Sequence, residues 1–134
     1  MKRIIIDIIP KEQQRLIENA GDYFYDENGV LQVRVSDLGI GKRAWLKERF
    51  IVIHELIEQT LTEYKGIAEE EIQAFDEKFY AEMDNGDYPE AGFHPDCPYL
   101  KEHTFSDNVE RQMALYCNID WFEYSKDVER VTGG

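Results

Sequence analysis

Apolar residues follow a strand-like rhythm over the first third of this chain and a helical rhythm over the rest. Ile4 to Ile9 is a β-branched run too short for a helix, so it predicts a buried strand. Lys11 to Ala20 carries Leu16, Ile17 and Ala20 at helical spacing, which predicts a short helix stopped by Gly21. Next, Asp22-Tyr23-Phe24-Tyr25 and Val30 to Val35 flank Asp26-Glu27-Asn28-Gly29, an Asn-Gly turn between two β-forming segments and the clearest hairpin signal present. Two glycines between Ser36 and Lys42 mark a crossing to the next element.

From Arg43 to Tyr64 the apolar residues Leu46, Phe50, Ile53, Ile57, Leu61 and Tyr64 recur every three or four positions, with Trp45, Val52 and Leu56 on the other side. A helix apolar nearly all round belongs at the centre of a fold, and Ile53 and Ile57 should be almost fully buried in it. Gly66 ends it. A second helix follows over Glu69 to Met83, with Ala68, Ile72, Phe75, Phe79 and Met83 as its stripe and Asn85-Gly86-Asp87 closing it. Gly86 to Pro98 reads as a loop, and Pro98 suits the first position of a third helix running to about Cys117. Asn118 to Arg130, with Trp121, Phe122 and Val128, adds a packed C-terminal segment. Strands precede helices, so the expected fold is one α+β domain over residues 1–134, a small sheet of about three strands on three to four helices.

Composition narrows the functions available. A chain of 134 residues with 43% hydrophobic and 13% aromatic content can bury a real core, whereas a formal charge of -13 repels phosphate backbones and anionic lipid surfaces. Direct nucleic-acid binding is therefore not expected. The two cysteines, Cys97 and Cys117, lack metal-ribbon spacing and fit a reducing, cytoplasmic setting as thiols. The N-terminal apolar run is short, cut by Asp7 and closed by Pro10, unlike a signal peptide, and no stretch approaches the roughly 20 apolar residues that span a bilayer.

The residues that carry chemistry begin with His54-Glu55-Leu56-Ile57-Glu58, an HExxE string inside the most hydrophobic helix. Four residues make about one helical turn, so His54 and Glu58 stand side by side, as the two ligands of an HExxH zinc motif do. Glu55 points about a quarter-turn away, where a glutamate can act as general base on water at the metal. Glu58 also falls inside the apolar sector, and a buried carboxylate needs a metal, a cation or a hydrogen-bonding network. The bland alternative is a structural His54–Glu58 pair. Zinc is the expected ion, with iron or manganese favoured as carboxylates are added.

His103, on the third helix, is the preferred third ligand. Glu110, two turns along, is too far to share one ion directly and is expected as a partner behind a ligand or in a salt bridge. Asp76 sits on the buried stripe of the second helix, either as a further ligand or as an acid paired with Lys78. His94, in a Pro-rich loop, reads as a turn residue, and no Walker A, GxGxxG, CxxC or GxSxG pattern occurs.

The ordered set Gly21-Asp22-Tyr23, Asn28 to Ser36, His54 to Glu58, Phe75-Asp76, Pro95-Asp96-Cys97-Pro98-Tyr99, Glu102-His103 and Val109-Glu110-Arg111 resembles a family of small bacteriophage and prophage proteins to which no activity is attached. The strand, hairpin and HExxE helix are also similar to the minimal zincin core. That resemblance implies His54 and Glu58 as ligands and Glu55 as base, with Glu58 standing where zincin peptidases carry histidine. The leading expectation is a metal-dependent hydrolase, metallopeptidase-like, acting on a peptide or protein in the cytoplasm of a host bacterium. The alternative is a non-enzymatic acidic accessory protein that occupies a basic groove on a host defence or nucleic-acid-handling protein.

Overall fold

The computed structural model describes residues 1–82 and 88–132. Three strands, β1 (Ile4–Ile9), β2 (Gly21–Tyr25) and β3 (Leu31–Ser36), form one sheet in the order β1-β3-β2. The predicted hairpin joins β2 and β3 antiparallel, with Tyr23 opposite Val33. Its turn is closed by Asp26, whose Oδ1 accepts from the Asn28 and Val30 N–H groups, while Gly29 takes φ 74°, which a residue without a Cβ adopts at little cost. β1 runs parallel to β3, Ile6 beside Val33.

Four helices follow: α1 (Ala44–Lys65), α2 (Glu69–Glu82), α3 (Leu100–Tyr116) and α4 (Trp121–Thr132). This is the expected α+β architecture. α1 packs on β2 and β3 and along α3, and Gly66 ends it in the left-handed region at φ 73°. No described helix is long and apolar enough to cross a membrane.

Three expectations change. β1 is a strand but not a buried one: Ile4, Ile6 and Ile8 are 55%, 46% and 43% exposed, because β1 is the sheet edge beyond the reach of α1. The helix expected over Lys11 to Ala20 is only a 3-10 turn at Lys11–Gln13. Gln14 then leaves helical backbone and is buried against the sheet, donating through Nε2 to Ser36 Oγ and the Arg34 carbonyl, so tertiary hydrogen bonds override the local spacing. Ile53 and Ile57 are only half-buried. The deeply buried ridge of α1 is instead Phe50, Ile51, His54, Glu58 and Thr62. In a helix apolar all round several stripes fit the period equally well, and the one facing both β2 and α3 is the one with the polar residues. Met83 and Asn85-Gly86-Asp87, expected to end α2, lie outside the described residues.

Two apolar clusters result. One gathers Val35, Leu38, Phe50, Ile51, Ala114 and Tyr124, the other Tyr23, Leu31, Val33, Ile72, Cys97 and Tyr99. The buried polar ridge bridges them, since Glu58 bonds to Tyr23 of one cluster and Glu110 to Tyr124 of the other.

Candidate metal centre

His54 and Glu58, one turn apart on α1, meet His103 of α3. His54 Nε2 lies 3.2 Å from Glu58 Oε2 and 3.2 Å from His103 Nδ1, and the last two atoms are 2.8 Å apart. All three residues are buried, and their donor atoms form a group that could hold a metal ion. A triangle with these sides has corners about 1.8 Å from its centre, slightly inside the roughly 2.0–2.2 Å of zinc–nitrogen and zinc–oxygen bonds. The three donors are thus close enough together for one ion of that size to reach all of them.

The far sides of two of the donors are held by hydrogen bonds. His54 Nδ1 is 2.7 Å from Glu110 Oε1, and Glu110 Oε2 accepts from the Tyr124 hydroxyl. An N–H on Nδ1 leaves the lone pair of Nε2 facing the triangle. Glu58 uses its other oxygen, Oε1, to accept from the Tyr23 hydroxyl at 2.9 Å. His103 Nε2 is 3.3 Å from Glu90 Oε2, within ion-pair reach but without hydrogen-bond alignment. A hydrogen on His103 Nδ1 donates to Glu58 Oε2, and without it three lone pairs converge on the triangle, where a metal ion would take the proton's place.

The electrostatics point the same way. Burial alone would lower the His54 pKa, but the bonds to Glu110 and Glu58 overcome it and hold the value well above normal. His103 behaves likewise, raised to about 10 against burial by Glu58 and Glu90. Burial pushes Glu58 up, yet His103 and His54 bring it down to about 2. The carboxylates thus favour positive charge on the two imidazoles.

Glu55 stands beside the triangle under β2. A Cβ on Gly21 would lie 2.5 Å from Glu55 Cγ and 2.6 Å from its Oε1, so glycine is what lets the strand descend onto this side chain. Burial, then the charge of Glu58, raises the Glu55 pKa well above the carboxylate range. A second glycine makes a similar fit: a Cβ on Gly92 would lie 2.4 Å from His103 Cγ, and the turn Ala91–Phe93 closes over that imidazole with Phe93 edge-on at 4.6 Å.

Of the residues singled out in the sequence, His54, Glu58 and His103 come together, and Glu110 stands behind His54. Asp76 lies outside the triangle, accepting from the Tyr99 hydroxyl at 2.5 Å, in the wall of the same cavity. His94 packs among Phe75, Phe79 and Tyr88, and its Nδ1 accepts from the Asp96 N–H, as a turn residue does. Tyr23, Tyr124, Glu90, Gly21 and Gly92 did not stand out as site residues. Strand alternation was the available signal for two of them, because it puts Gly21 and Tyr23 on one face of β2. A cavity of about 650 Å³ opens on the triangle, within the size range of small-ligand sites. No protein-family model, curated protein or solved structure matches this chain.

Proposed function

We propose that the chain is a zinc-dependent hydrolase with a zincin-like centre, acting on an amide or peptide bond. The observation that carries this reading is the convergence of His54 Nε2, Glu58 Oε2 and His103 Nδ1 at 2.8 to 3.2 Å, with Glu110 behind His54 and Tyr23 behind Glu58. Two imidazoles and one carboxylate with an open position form the donor set of several catalytic zinc sites. Zinc held there would supply Lewis acidity, lowering the pKa of water and polarising a carbonyl. The chain's own residues do the rest. Glu110 and Tyr124 orient His54, Tyr23 orients Glu58, and Glu55 receives the proton of the attacking water and delivers it to the leaving amine. Phe93 and the Ala91–Phe93 turn shield the rear of His103 from solvent.

Protein purified without chelator or histidine tag should carry one zinc per chain, and His54→Ala should carry none. Screened against a peptide library, the zinc-loaded protein should cleave, and Glu55→Gln should abolish turnover while zinc stoichiometry stays at one. Glu58→Gln should weaken metal binding and folding together. A Glu55→Gln protein with full activity, or a wild-type protein that takes up no zinc, would sink the hydrolase reading in favour of an acidic binding module.

A further inference from the structure

The cavity beside the triangle has a one-sided charge. Ten carboxylates and two arginines line it, and both arginines are already engaged. Arg15 pairs with Asp22 at 2.7 Å and lies over Phe24, and Arg111 pairs with Asp107 at 2.8 Å and lies over Trp121. Neither has its charge free for an anionic ligand.

One of those carboxylates stands apart from the rest. Asp76 is only 8% exposed, its one hydrogen bond comes from Tyr99, and no cation lies within ion-pair distance among the described residues. Glu58 and Glu110, equally buried, are matched by imidazoles and tyrosines. A buried carboxylate left without a cation costs several kcal/mol in an apolar wall unless something neutralises it. Ile72, Tyr80 and Tyr99 line the cavity together with Asp76 and offer apolar surface to it.

We infer that this cavity takes a substrate bearing a positive charge, an arginine or lysine side chain, and that Asp76 is the specificity-determining residue that receives it. The inference rests on the reading of the triangle as a hydrolytic centre and names what that centre accepts. Apolar walls suit the methylene stem of such a side chain, and the carboxylate suits its head. Burial raises the Asp76 pKa to about 7, against the pull of the Tyr99 bond, as expected of a carboxylate whose counter-ion arrives with the ligand.

The test compares N-acetyl-arginine amide with N-acetyl-citrulline amide, a neutral near-isostere, titrated calorimetrically into the zinc-loaded protein at about pH 8. The arginine amide should bind at least about tenfold more tightly. Asp76→Asn, which keeps an oxygen for Tyr99, should bring the two within about twofold of each other, and Glu12→Gln, the same charge change on the exposed surface, should leave the preference intact. Equal binding of the two amides by the wild type, or binding of neither, overturns the inference without reference to any variant. So does a second equivalent of zinc that disappears in Asp76→Asn, since Asp76 would then serve an ion. Binding is read here, not turnover: selection of the arginine amide by a protein that cleaves nothing defeats the hydrolase reading alone, and cleavage without charge preference defeats only this one.

Discussion

Glu110 determines which nitrogen of His54 faces the triangle. Its Oε1 sits 2.7 Å from Nδ1, and the Tyr124 hydroxyl holds its other oxygen, so the carboxylate cannot turn away. Glu110→Gln keeps the shape but halves the acceptor capacity and removes the charge. Zinc affinity, measured by competition with a chromophoric chelator, should fall about 10- to 100-fold with the fold intact. Gly92 acts through absence of atoms. A methyl there would lie 2.4 Å from His103 Cγ and 2.5 Å from Nδ1, so ring or turn must move. Gly92→Ala should cost about 1–3 kcal/mol in urea denaturation and weaken zinc binding as well. Gly41→Ala, where a Cβ would meet nothing within 4 Å, should do neither.

α1 and α3 explain how residues so far apart in sequence meet. His103 reaches Glu58 while Glu110, two turns later, reaches His54, so the two helices run antiparallel with four polar residues in register. The buried ridge of α1 is consequently polar at its centre and apolar toward its N-terminal half, where Phe50 is fully buried and stacks edge-on with Tyr124 at 5.7 Å. This separates two readings of the helix. Phe50→Ala should lose about 3–5 kcal/mol, whereas Ile53→Ala, on the half-buried flank, should lose less than about 2 kcal/mol. Equal losses from both would mean that the apolar stripe, and not the His54–Glu58 ridge, faces the core.

On the proposed reading, folding and metal binding are linked across the whole molecule, because His54, Glu58 and His103 come from two helices that must dock before the three converge. At free zinc about 100-fold above its dissociation constant the folded state should then gain about 2.7 kcal/mol. The gain should depend on pH. His103 has a folded-state pKa of about 10 against 6.5 unfolded, so the stability it contributes to metal-free protein is complete below 6.5 and is lost as pH rises through 10. Glu58, lowered from 4.5 to about 2, contributes above 4.5 and loses that contribution as pH falls toward 2. Metal-free protein should therefore lose stability from about pH 6.5 upward, and zinc, which replaces those protons, should restore it. Thermal melts in EDTA and in zinc should diverge between about pH 6 and 9. Curves that stay parallel would show that protons and metal do not share the site.

The amino-acid sequence by itself determined what needs only neighbours along the chain. The Asn28-Gly29 turn, the ends of α1 at Arg43 and Gly66, and the pairing of His54 with Glu58 follow from turn chemistry, glycine at a helix end and the 3.6-residue period. The tertiary structure decided everything that needs two elements at once. It put β1 at an uncovered edge, drew Gln14 out of a helix and chose among equally periodic stripes of α1. It also set His103 against Glu58, gave Glu110 to His54 and gave Asp76 to Tyr99. The physical reason is the same in each case: periodicity places a side chain on a face, but burial and hydrogen-bond partners belong to whatever packs against that face.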